Sequence, residues 1–223
     1  MGWPSNVTTG FLCIALLSCG PDHDGRREKD FIGRSRPVSP IGPAAPAEET
    51  IIEECTVDLI ADLLFRHERD GWTLQTKEAQ VTVERLARGG VGLVFLAVGS
   101  PIEGKRDLQA GIATTRQLVA ATNGRVVMVD DIDKAVRVSH DGSVASMMLV
   151  EGADELARAD EAALMALKKQ GVGIIGLVAG HSNGLAEAAV APLGERGGLS
   201  EEGAAFVQRL RDVGIAVDLT HAS

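Results

Sequence analysis

The sequence GLVFLAV at residues 92–98 is a short, continuous run of apolar side chains, and ASMMLV at residues 145–150 is nearly so. Apolar runs of this length, without polar alternation, are typical of parallel strands that are covered on both faces. The same pattern predicts three further strands and a weaker fourth candidate: Thr56–Leu63, Gly173–Val178, Ala216–Leu219 and, more weakly, Val126–Val129. The chain is therefore expected to build a parallel sheet.

Longer segments with helical periodicity separate these runs. They are Thr76–Arg88, Asp107–Thr122, Asp131–Ser139, Asp154–Gln170 and Ser200–Asp212. In the last of them Ser200 is a good N-cap and Gly214 a good stop signal. Strands alternating with helices predict βα units, in a barrel or an open sheet. No strand is followed by a G-x-G-x-x-G or P-loop sequence, which argues against a nucleotide-binding doubly wound domain.

Composition limits the class of protein. The 223 residues are 45% hydrophobic and 24% charged, with a mean hydropathy of +0.09, as in soluble globular proteins. A net charge of −9 leaves no basic surface for nucleic acid. Three cysteines without a C-x-x-C motif exclude a disulfide scaffold.

The amino terminus resembles an export signal. Residues 1–18 carry no charge and include an apolar run at 11–17 that is too short to span a bilayer. The sequence Leu-Leu-Ser-Cys at 16–19 resembles a bacterial lipoprotein signal, with Cys19 as the lipidated residue. An ordinary signal peptide or a wrongly assigned start are the alternatives. Residues 19–50 hold five of the eight prolines and are expected to be a disordered tether. We therefore expect a folded part, 51–223, at the bacterial cell envelope, in contact with the membrane only through the lipid.

Polar side chains follow four of the expected strands. Asp62 follows VDLIA, Glu151 follows ASMMLV, His181 follows IIGLVAG, and His221 follows AVDLT. Functional residues of parallel α/β folds gather at the carboxyl ends of strands. Carboxylates and imidazoles are the oxygen and nitrogen ligands of zinc and similar metals. Taken singly, each carboxylate could instead cap a helix or pair with an arginine, and each histidine could be structural.

The carboxyl-terminal stretch GGLSEEGAAFVQRLRDVGIAVDLTHAS, residues 197–223, resembles a segment of the zinc-dependent membrane dipeptidases. That family has Gly-Leu-Thr, a helix, and a strand ending in Asp-Leu-Ser-His. Residues 150–153 are similar to its Glu-Gly-Gly motif, and residues 89–92 to its Gly-Gly-Val-Gly motif. Residues 56–63 fall where the family has Asp-Gly-His-Asn-Asp.

The resemblance implies a (β/α)8 TIM barrel, of which about five to six βα units lie within 51–223. It also implies two zinc ions that activate a hydroxide for dipeptide hydrolysis, because paired cations lower the pKa of a bridging water. Glu151 matches the bridging carboxylate, His221 a ligand of the second metal, and Asp62 the carboxylate of a His-x-Asp pair. His181 is the candidate for the histidine that contacts the substrate.

Several family positions are changed. The first metal histidine falls on Ile60, and the substrate histidine aligns with Ala179, two residues before His181. Asp58 cannot replace the lost ligand, since along a strand it lies roughly 13 Å from Asp62. Other family ligands lie beyond the position that matches Ser223, so we expect a truncated chain that binds one zinc ion or none. The alternative is a non-catalytic, lipid-anchored binding module of the same fold. Open sheet edges also suggest a homodimer.

Overall fold

The computed structural model describes residues 56–99, 107–190 and 197–223. The expected signal peptide (1–18), Cys19 and the tether (19–50) lie outside these residues. In the described part, six strands form one parallel sheet: β1 Thr56–Ala61, β2 Val91–Val98, β3 Val126–Met128, β4 Val144–Val150, β5 Val172–Gly176 and β6 Ala216–Asp218. Six helices accompany them: α1 Leu63–Asp70, α2 Val83–Arg88, α3 Leu108–Ala120, α4 Ile132–His140, α5 Glu161–Lys169 and α6 Glu201–Val213.

The strands are ordered β1-β2-β4-β5-β6, and β3 pairs with β4 outside this path. Residues 145 and 146 of β4 pair with both β2 and β3, whereas residues 148–150 pair with β5. Strands β3 and β5 therefore share one edge of β4, with β3 at its amino-terminal half. The result is a half-barrel of five to six strand–helix units, which confirms the expected incomplete TIM barrel.

The two faces of the sheet are covered by different helices. Val94 and Leu96 of β2 pack with side chains of α2 and α3 on one face. Met148 and Val150 of β4 pack with side chains of α5 and α6 on the same side of the sheet. The alternate residues Leu93, Phe95, Met147 and Leu149 form a separate cluster with Ala135 of α4. We call this second face the inner face, because it lies opposite the main helical layer.

Side-chain caps fix the starts of several helices. Asp131 accepts a hydrogen bond from the Lys134 backbone N–H at the start of α4, and Asp160 does so from Ala163 at α5. Ser200 caps α6 through the Gly203 N–H, and α6 ends at Gly214 with φ of 73°, as the sequence predicts. Each such N-cap contributes about 1 kcal/mol to helix stability.

Several predicted boundaries are wrong. The strand predicted at Thr56–Leu63 ends at Ala61, because Leu63 and Leu64 are buried in the first turn of α1, a helix that the sequence analysis did not predict. The helix predicted at Thr76–Arg88 is reduced to α2, whose N-cap is Thr82.

Two further boundaries move. The helix predicted at Asp154–Gln170 begins only at Glu161, because Asp160 is its N-cap. The strand predicted at Gly173–Val178 is β5, which ends at Gly176. Among the described residues, none of the helices is both long and apolar enough to cross a bilayer.

Candidate functional site

Strand register brings two carboxylates into one row at the carboxyl end of the sheet. Val150 pairs with Ile175, so the next residue, Glu151, lies level with Gly176. Gly176 in turn pairs with Asp218 of β6. Because side chains alternate along a strand and Leu149 belongs to the inner face, Glu151 also projects to that face. Glu151, Gly176 and Asp218 thus form a row across three strands.

Asp218 lies close to the glycine in the middle of this row. A Cβ at Gly176 would lie 3.5 Å from Asp218 Oδ2 and 3.6 Å from the Gly152 nitrogen. The other carboxylate oxygen, Oδ1, accepts hydrogen bonds from the backbone N–H and the hydroxyl of Thr220. The carboxylate of Asp218 therefore lies over β5, towards the end of β4. Sequence reasoning missed Asp218; its only signal was its place in the strand AVD before His221.

Glu151 is the buried member of the group. Its side chain is 11% exposed, and its Oε1 lies 3.7 Å from Nε2 of His221, whose side chain is 40% exposed. Burial raises the pKa of Glu151, and the negative charges of Asp62 and Asp218 raise it further, whereas His221 lowers it. Asp62, Asp218 and His221 therefore all lie close enough to act on the charge of Glu151. Of the residues predicted as metal ligands, the structure pairs Glu151 with His221, and the charge of Asp62, like that of Asp218, acts on Glu151.

His181 makes its contacts elsewhere. Its side chain is 55% exposed, and its Nε2 lies 3.2 Å from Oδ1 of Asp154. The other oxygen of Asp154 accepts a hydrogen bond from Asn183 in the loop after β5. His181 thus belongs to a polar network of the β4 and β5 loops, and its predicted role in substrate binding remains a prediction.

Strand β1 is irregular where the resemblance would place a histidine. Its register with β2 shifts between Asp58 and Ala61, and Asp58 Oδ1 accepts a hydrogen bond from the Ile60 N–H at 3.3 Å. Leu59 and Ile60, although consecutive, both pack against the inner-face cluster. The two features together describe a bulge, a distortion common next to functional sites. The bulge presents an apolar side chain, Ile60, to the inner face.

The donor set does not complete a metal centre. Among residues 56–99, 107–190 and 197–223, no three histidine, cysteine, aspartate or glutamate side chains are arranged to hold a metal ion. Zinc takes three or four protein ligands in most protein sites. The described residues supply a carboxylate–imidazole pair with two further carboxylates nearby, and they lack a nitrogen donor at Ile60.

Comparison with known proteins identifies the family of the chain. Residues 46–223 match the family model described as membrane dipeptidase (peptidase family M19). No curated protein sequence matches significantly.

Three solved structures illustrate the likeness of fold. One is a metallopeptidase from Rhodobacter sphaeroides, liganded with a phosphinate mimic of the dipeptide L-Ala-D-Ala. It is 20% identical with a TM-score of 0.63, over 76% of this chain and 59% of that one. An amidohydrolase from Pseudomonas aeruginosa is 20% identical with a TM-score of 0.59, over 76% and 47%. A probable dipeptidase from the same organism, PvdM, is 21% identical with a TM-score of 0.58, over 76% and 47%. The chain spans about half the length of these structures.

Proposed function

Because the chain belongs to the membrane dipeptidases of peptidase family M19, we propose that its half-barrel supplies part of a dipeptide-hydrolysing metal site. The proposed site lies at the carboxyl end of the sheet and consists of Glu151 and His221, with the charge of Asp62 acting on Glu151. Zinc is the proposed metal and a dipeptide the proposed substrate. In one of the similar solved structures the ligand is a phosphinate mimic of a dipeptide, which supports this substrate class.

One observation carries the proposal: Glu151 is a buried carboxylate that lies 3.7 Å from an imidazole, and the charges of two further acidic groups, Asp62 and Asp218, act on it. A buried negative charge is costly unless it is paired or bound to a cation. The imidazole of His221, 3.7 Å from Glu151, carries a positive charge only when it is protonated. An arrangement of this kind is expected where a cation binds.

Zinc titration of the full chain tests the site. We expect weak, substoichiometric zinc binding by calorimetry, and dipeptide hydrolysis no faster than a metal-free blank. Glu151→Gln and His221→Ala should each abolish the residual zinc binding, because each removes a donor. His140→Ala, at the far end of α4, is the matched control and should bind zinc like the parent chain. Unchanged zinc binding in both site variants would refute the assignment of Glu151 and His221 as zinc ligands. Two tightly bound zinc ions together with dipeptide hydrolysis would refute the expectation that the ligand set is incomplete.

A second candidate function is a binding module without catalysis, and Ile60 favours it. The apolar side chain lies at the inner-face position where the resemblance has a metal-binding histidine. If the loss of this donor is what limits the site, Ile60→His should increase zinc affinity. Val57→His, at the exposed start of β1, is the control and should not. A chain that binds dipeptides in a calorimeter, but gains no zinc affinity from Ile60→His, would support the binding module.

Location at the cell envelope is proposed from Cys19, which lies outside the described residues. Replacing Cys19 by alanine should release the protein from the membrane fraction. Cys13→Ala is the control, because it removes a cysteine of the same segment that does not fit the lipidation signal. Unchanged membrane partitioning of the Cys19 variant would refute the anchor. The homodimer remains a prediction.

A further inference from the structure

The chain contains two asparagine–glycine dipeptides, Asn123-Gly124 and Asn183-Gly184. Glycine has no Cβ, so its backbone nitrogen can approach the side-chain carbonyl of a preceding asparagine with little hindrance. Asparagine is for this reason among the chemically labile residues of proteins. In the described part of the fold, the side chain of Asn183 is restrained by hydrogen bonds and the side chain of Asn123 is not.

The side chain of Asn183 is held at both ends. Its Nδ2 donates hydrogen bonds to the Leu177 carbonyl at 2.8 Å and to Asp154 Oδ2 at 3.2 Å. Its Oδ1 accepts from the backbone N–H groups of Leu185 at 2.9 Å and Ala186 at 3.3 Å. Rotation of this amide towards the nitrogen of Gly184 would break these bonds.

The side chain of Asn123 has no such restraint. Asn123 follows α3 in an exposed turn. Its φ is 55°, the only positive φ of a non-glycine residue in the described ranges. Within these ranges neither the side-chain amide of Asn123 nor the N–H of Gly124 has a hydrogen-bond partner. Both residues line an open groove of about 560 Å³ at the amino end of the sheet, which gives water access to the amide.

We propose that Asn123 is a site of spontaneous deamidation and that the fold protects Asn183 from the same reaction. The nitrogen of Gly124 attacks Cγ of Asn123, and a new C–N bond closes a five-membered imide. The bond from Cγ to the side-chain nitrogen breaks, and ammonia leaves with the proton of the Gly124 N–H. Water then adds to either imide carbonyl and opens the ring, to give aspartate or isoaspartate.

The reaction changes a turn that is anchored on both sides. The buried hydroxyl of Thr122 donates to the Val119 carbonyl at 2.7 Å and accepts from the Val126 N–H at 3.0 Å. Isoaspartate at position 123 adds a backbone carbon between Thr122 and Val126, which strains this link between α3 and β3. The new carboxylate also lies just beyond the carboxyl end of α3, where the helix dipole disfavours an anion. Deamidation at this turn is thus expected to loosen the α3–β3 connection.

Peptide mapping of the native full chain tests the proposal. The chain is held in mildly alkaline buffer, and the conversion of each asparagine is followed by mass spectrometry. Four hydrogen bonds restrain the side chain of Asn183, so Asn123 should convert roughly tenfold faster or more. In denaturant the two rates should converge, since both sites are then asparagine–glycine in an unfolded chain.

Two variants sharpen the result. Asn123→Gln should remove the fast native site, and Asp154→Ala should speed conversion of Asn183 by removing one of its restraints. Equal native rates, faster conversion of Asn183, or a difference that persists in denaturant would each overturn the proposal. Native protection of both sites, over a time in which the denatured chain converts both, would overturn it as well.

Discussion

Replacing Gly203 by alanine should distort the loop that carries His181. Gly203 lies in the first turn of α6, and a Cβ there would lie 2.1 Å from the Leu185 carbonyl oxygen and 2.7 Å from Leu199 Cδ1. Ordinary contact begins at 3.4 Å, so the carbonyl of Leu185 would have to retreat by about 1.3 Å. That oxygen accepts a hydrogen bond from the Ser200 N–H at 2.9 Å, and Leu185 is fully buried.

The expected cost follows from these contacts. Overpacking of a close-packed site costs about 1–3 kcal/mol, and loss of the Ser200–Leu185 hydrogen bond costs about 1 kcal/mol. Alanine regains up to about 1 kcal/mol over glycine through helix propensity. The free energy of unfolding should therefore fall by about 2 kcal/mol. With a urea m-value of about 2 kcal/mol per molar, the midpoint moves down by about 1 M.

Urea denaturation monitored by circular dichroism measures this change. Gly184→Ala is the matched control in the same loop, because its Cβ would meet only Glu202 Oε2, at 3.8 Å. Its effect should stay within about 0.5 kcal/mol. If Gly203→Ala leaves the midpoint unchanged, or if the control loses as much stability, the close approach of α6 to Leu185 is not what restricts position 203.

Two further predictions concern pH. Burial, and then Asp62, raise the pKa of Glu151 above its ordinary value of 4.5, so its stabilising contribution is complete below 4.5 and is lost as the pH rises through the raised pKa. In the presence of a chelator, Glu151→Gln should therefore be more stable than the parent chain at neutral pH, with the gap closing below 4.5; a gap independent of pH would contradict this. At the start of α4, the backbone hydrogen bond from Lys134 lowers the pKa of Asp131. The stabilising contribution of Asp131 is present above the ordinary carboxyl pKa of 3.8 and is lost as the pH falls through the lowered pKa. Asp131→Ala should cost about 1 kcal/mol at neutral pH in denaturant melts, and an equal loss in strong acid would show that the cap is not the cause.

Strand positions were predictable because their apolar runs are nearly continuous. Helix boundaries were harder to predict. Leu63 and Leu64 extend the run that begins in β1, so periodicity alone cannot show that the strand stops at Ala61. The segment before α2 has helix-forming composition, but hydroxyl hydrogen bonds between Thr73 and Thr76 hold it in turns. Such side-chain bonds to nearby backbone compete with helix formation and leave only a weak trace in sequence.

The approach of His221 to Glu151 could be predicted from one topological fact: the carboxyl ends of parallel strands meet at the same edge of a sheet. The place of Asp218 could not, since it depends on the register of β4, β5 and β6. For His181 the same topological argument predicted the wrong neighbour. His181 follows a strand as expected, but the path of its loop directs the ring to Asp154.

The charge of the site can be relieved by a proton or by a cation, and the two have different requirements. A proton on Glu151 needs no further ligand, and it removes the repulsion from Asp62 and Asp218 that raises the pKa of this group. A cation needs more ligands than the Glu151–His221 pair. Ile60 has no ligating atom at the position where the resemblance has a metal-binding histidine. Because metal ligands must be deprotonated, a proton on Glu151 competes with zinc for this carboxylate. Zinc binding to the chain should therefore weaken as the pH falls, and a zinc affinity that does not change on acidification would place the metal away from Glu151.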